Sequence, residues 1–153
     1  MVPEQQAIDT MKRSFALGVN IVHTAPDYAG ADDLLAEAIR ASGREVIVCT
    51  QGYGDRESFE HLFETASRKF SKKRLDMFGI ACIEDREKLG ENVWGSGGMI
   101  EFLQTKKREG RLVGTFCSTH GTREYIRRLV ESDAFDAILL AYNPVGYHLL
   151  SYN

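Results

Sequence analysis

Val19-Asn20-Ile21-Val22-His23 runs directly into Thr24-Ala25-Pro26-Asp27, and this junction decides the fold. The first five residues read as a short buried strand, and the next four as a loop without glycine. Working outward, the same unit recurs. Glu45-Val46-Ile47-Val48-Cys49-Thr50 is a β-branched strand, and Asp76 to Cys82, Leu112 to Cys117 and Asp136 to Tyr142 read as three more. Helical spacing of apolar residues fills the intervals: Glu4 to Leu17 (through Ile8, Met11, Phe15 and Ala16), Ala31 to Ser42 closed by Gly43, Glu57 to Lys73, Met99 to Arg108 ending at Gly110, and Thr122 to Glu131. The segment from Glu84 to Gly98, rich in charge and glycine and holding the single tryptophan, Trp94, reads as a long loop.

A strand every 25 to 35 residues or so is the period of a βα unit. Apolar strands without alternation predict a parallel sheet covered on both faces. Periodicity leaves two architectures: an open doubly wound sheet, or a segment of a closed barrel. The open sheet calls for a glycine-rich dinucleotide loop after its first strand. His23 to Asp27 supplies none, so the expectation is α/β: parallel units of a TIM-type (β/α)8 barrel, incomplete at about five strands, in one domain spanning residues 1–153.

Composition narrows the function classes. The chain of 153 residues is 27% charged and 43% hydrophobic with a net charge of −3, ordinary globular values. No basic arm is present to neutralise phosphates, so no nucleic acid is expected as a partner. The densest basic run, Lys69 to Arg74, ends a predicted helix, where cations favour the macrodipole. No apolar run approaches the ~20 residues that span a bilayer, and the N-terminus lacks a signal-peptide pattern; neither membrane association nor export is expected. The three cysteines, Cys49, Cys82 and Cys117, fall in or at the end of predicted strands. There a buried thiol acts as a small hydrophobe, and a reducing cytoplasm is the expected compartment. Ligand spacing for a metal is absent.

Gly18 to Ala25 followed by Tyr28 resembles the signature of the aldo/keto reductase family, in which a strand ends in Asp-Thr-Ala and a tyrosine follows. Tyr28 is followed at the family's offsets by Asp32, Leu35, Ala36 and Ala38-Ile39. Val46 to Gly52 is similar to the family's strand ending in Thr-Lys. Lys106 to His120, through Glu109-Gly110-Arg111-Leu112 and Ser118-Thr119-His120, is similar to the stretch leading to its nicotinamide site, and Asp136 to Asn143 to the following strand. The resemblance covers strands two to six of the family's barrel.

The resemblance implies carbonyl reduction with NADPH by an Asp, Tyr, Lys and His tetrad. Position by position these fall on His23, Tyr28, Gln51 and Ala81; only Tyr28 keeps the family's residue. A tyrosine with a pKa near 10 needs a neighbouring cation to act as an acid at neutral pH. Gln51 cannot supply that charge, and Ala81 cannot donate to a developing oxyanion. Each such loss typically costs ~10² to 10⁴ in rate. For the cofactor, Ser118 and His120 occupy the nicotinamide side, while a glutamine of the family's sixth strand is replaced by Leu139. The loops holding the adenine-side phosphates follow strands seven and eight, outside the matched region. NADP(H) is therefore implied by the resemblance alone, with binding weaker than ~1 mM expected.

Several residues carry two readings. His23 with Asp27 and Tyr28 makes a His–Asp–Tyr cluster able to titrate near neutrality, or it is a histidine left after catalysis was lost; Tyr28 can stay because its ring fills the barrel mouth. Cys49 shares a strand face with Gln51 and reads as inert core. Ser118 and His120 either meet an anion or belong to a helix entry with its capping residue. Trp94 covers a ligand or packs over the barrel end. The expected function is an aldo/keto-reductase-like domain, inactive or repurposed within something larger. The alternatives are a reductase completed by missing strands and a non-enzymatic assembly module. Two strand edges, Ile21 to His23 and Ile138 to Leu140, are left open, with Val48, Ile80 and Phe116 expected to lose cover. A homo-oligomer or a barrel-completing partner chain would relieve both.

Overall fold

In the computed structural model, residues 2–84 and 86–140 are described. Eleven elements run through them: α1 Glu4–Ala16, β1 Ile21–His23, α2 Ala31–Ser42, β2 Ile47–Gly52, α3 Arg56–Lys69, β3 Leu75–Ile80, α4 Arg86–Trp94, α5 Met99–Arg108, β4 Leu112–Thr119, α6 Arg123–Glu131 and β5 Ala137–Leu140. The strands form one parallel sheet in chain order, β1-β2-β3-β4-β5. Each strand pairs with its sequence neighbour, as in a TIM-type barrel. The sheet is curled and incomplete, with β1 and β5 as its edges among the described residues.

Local chemistry sets the boundaries. Gly18, at φ 101°, sits just beyond α1 while Val19 N–H reaches back to Ser14 C=O and Gly18 N–H to Phe15 C=O. This is a Schellman closure, and it needs the left-handed residue that glycine supplies without strain. The predicted helix Glu57 to Lys73 stops four residues early by the same device. Ser71 takes φ 52°, and Lys72 N–H bonds Ser67 C=O. Ending the helix there frees Lys72 to pair with Asp76 and to donate to Val46 C=O, while Lys69 bridges Asp32 and Asp33 of α2. The basic run thus ties helices and strands together.

Three further expectations are corrected. The segment read as a loop from Glu84 to Gly98 contains α4, kinked at Gly90 and anchored by Val93 in the core. Trp94 packs against that core and meets Phe135 edge-to-face at 6.4 Å. The entry to α6 is capped by Thr122, which accepts from Tyr125 N–H, while Ser118 and Thr119 lie within β4. Cys82 stands exposed in the turn after β3, whereas Cys117 is buried and Cys49 half-buried.

The main core lies between α3, α4, α5 and the outer face of β3 and β4. Phe59 and Phe63 of α3, Phe78 of β3 and Phe102 of α5 form a cycle of edge-to-face rings with centroids 5.2 to 5.7 Å apart. A smaller cluster holds Ile8, Phe15, Leu35, Ala38 and Val46 between α1, α2 and the start of β2. The expectation of strands covered on both faces holds only in the middle of the sheet. Val48, Ile80 and Phe116, expected to lose their cover, are buried. Val48 and Ile80 face the helices, and Phe116 lies over Gly79, where any side chain would meet its carbonyl oxygen and ring at 2.6 to 2.7 Å. On the inner side Ile21 (56%), Ile47 (45%) and Leu139 (42%) are exposed instead. They line an inner concavity of about 470 Å³ with His23, Cys49, Met77 and Phe116.

Two carboxylates pin the outer layer. Glu64 takes a bidentate pair from Arg111 at 2.6 and 2.8 Å, and this hydrogen bonding holds its pKa below the usual value. Asp136 feels burial that would raise its pKa, but bonds from Lys107 and Thr115 together outweigh it and lower the value. A depressed folded-state pKa contributes stability above the unfolded value, lost as pH falls through the folded one. The urea midpoint is therefore expected to fall as pH drops below about 4.3. Glu64→Gln should flatten that dependence, and a variant whose midpoint falls as steeply as the parent's would show that the pair adds nothing.

Candidate functional site

The carboxyl ends of parallel strands, where a barrel places its chemistry, bring together the positions that the sequence singled out. His23 closes β1 opposite Cys49, and Gln51 follows two residues on along β2, opposite Gly79. Ala81 stands just past β3 and donates its N–H to Gly52 C=O at 2.9 Å. Tyr28 lies in the β1–α2 loop, where its N–H bonds Ala25 C=O. The four tetrad positions thus share one end of the sheet, on three adjacent strands.

That end carries two rings and a buried amide. His23 meets the Phe116 ring edge-to-face at 5.8 Å and the Tyr28 ring at 6.1 Å. Its Nε2 is buried and takes no hydrogen bond from any described residue. Asp27 is exposed, and no ion pair joins it to His23 among the described residues, so the His–Asp–Tyr cluster reduces to two rings in contact. Gln51 is 5% exposed, and its Oε1 likewise has no partner among the described residues. Buried polar atoms are normally satisfied; with Thr24 Oγ1, next after His23, three such atoms at the strand ends have no partner among the described residues. Tyr28 is 47% exposed. Neither Gln51 nor Ala81 carries a charge.

Ser118 has a structural task. Its Oγ accepts from Cys82 N–H at 2.9 Å, and its carbonyl accepts from Ile83 N–H at 2.8 Å, so it holds the turn after β3 against β4. His120 is exposed one residue past β4. The backbone bond from Cys82 was beyond sequence reasoning, since it joins residues 36 positions apart. Burial pushes the Cys117 thiol up to about 12. Burial first, then Asp76, raises the pKa of Cys49. Neither is a thiolate nucleophile at neutral pH. Among the described residues no group of three His, Cys, Asp or Glu is placed to hold a metal, and no helix is long and apolar enough to cross a membrane.

Of the groups that the family resemblance places at a dinucleotide's nicotinamide end, Ser118 is kept. There Ser118 Oγ accepts from Cys82 N–H and keeps its own O–H to donate, Leu139 offers no side-chain amide, and the buried Gln51 carries no positive charge.

Known structures share the fold. A putative aldo-keto reductase from Pseudomonas aeruginosa superposes with a TM-score of 0.76 at 18% identity, covering 97% of this chain and 60% of that one. An aldo-keto reductase from Klebsiella pneumoniae, solved in complex with NADPH, gives 0.74 at 19% identity, covering 96% and 53%. The holo form of one from Bacillus halodurans gives 0.74 at 15%, covering 93% and 50%. The chain thus spans about half to three-fifths of the length of these structures. No curated protein matches the sequence. The aldo/keto reductase family matches over residues 1–151, nearly the whole chain and all five strands. The chain belongs to the aldo/keto reductase family.

Proposed function

We propose that this chain is an aldo/keto-reductase-like half-barrel that has left carbonyl reduction and serves as a non-catalytic part of a larger assembly. One observation carries the reading: the strand-end site holds a buried neutral Gln51, an Nε2 of His23 without a partner among the described residues, and Ala81, where reduction needs a cation, an anion and a donor. Tyr28 alone is left, with no tetrad group to make it an acid at pH 7. The edges at β1 and β5, open among the described residues, support assembly with further strands, from a second copy or from a barrel-completing partner.

A second reading, a reductase completed by missing strands, draws on the NADPH complex of the Klebsiella relative and on the retained Tyr28. Both readings meet in one assay. The purified chain is expected to show no NADPH-dependent reduction across a panel of aliphatic and aromatic aldehydes, and NADPH affinity weaker than ~1 mM, a binding free energy of no more than about 4 kcal/mol. Turnover abolished by Tyr28→Phe, or micromolar quenching of Trp94 fluorescence by NADPH, would establish the second reading instead.

A further inference from the structure

We draw no further inference here: the strongest candidate, the apolar concavity on the inner face of the sheet lined by Ile21, His23, Ile47, Cys49, Phe116 and Leu139, carries nothing, because its β5 edge runs on into residues outside those described and nothing in the structure shows what covers it.

Discussion

Phe78→Ala is expected to lower the unfolding free energy by about 3 to 5 kcal/mol, the usual cost of emptying a fully buried aromatic site. Phe78 is fully buried and lies 5.2 Å from both Phe59 and Phe63, which in turn meet Phe102. Losing it breaks two edge-to-face pairs, each contributing about 0.5 to 1.5 kcal/mol beyond its buried area. The site has little room to collapse. Gly52 already leaves only 3.2 Å between an added Cβ and the Phe78 ring, and the backbone on either side is held by the β2 and β4 ladders. A domain of this size is stable by roughly 5 to 15 kcal/mol, so this one change removes a large share. Phe78→Leu keeps most of the volume and should lose under about 1.5 kcal/mol. Urea titration separates the two, and a Phe78→Ala loss below about 1 kcal/mol would mean that the four-ring cycle is not the folding core.

Three of the four rings of that cycle are legible in the sequence, because Phe59 and Phe63 recur at helical spacing and Phe78 sits within an apolar run. The strand order is legible for a related reason: a parallel sheet of βα units leaves few topologies open. What escapes reading depends on contacts distant in sequence. α4 has four glycines in and just after it and no apolar stripe of its own; it is a helix because Val93 finds the core of α3 and α5. Ser118 reads as a possible anion ligand until the turn after β3 folds back and gives its hydroxyl Cys82 N–H. Cover on both faces follows from apolar composition alone, and it fails at the inner edges. Composition says which residues avoid water but not which ones this part of the barrel leaves facing it.

The strand-end site allows a sharper test than the absence of turnover. Family resemblance places an aspartate at His23 and a lysine at Gln51, and neither position keeps the family's residue. The structure gives the exchange a physical logic. A lysine at position 51 would be almost wholly buried, and with histidine at position 23 it would lack its anion. Gln51→Lys alone is therefore expected to destabilise by about 3 to 5 kcal/mol, the cost of an uncompensated buried charge. His23→Asp alone should cost less, since His23 is only half-buried, but it sets a carboxylate against the Phe116 and Tyr28 rings. Made together, the two should recover about 1 to 3 kcal/mol relative to the sum of the singles, the coupling of a contacting pair. Coupling under about 0.5 kcal/mol would show that the two positions do not face one another, and the transfer of the tetrad onto this chain would fail with it. Adding Ala81→His completes the family's set, and still no NADPH-dependent turnover is expected. Each restored group is worth ~10² to 10⁴ only when hydride donor and carbonyl are held in place, and here Leu139 offers no side-chain amide, while the five described strands carry none of the loops that hold the adenine-side phosphates in the family. Turnover by the triple variant that vanishes with Tyr28→Phe would mean that the half-barrel retains its hold on the dinucleotide and has lost only the groups that activate its acid.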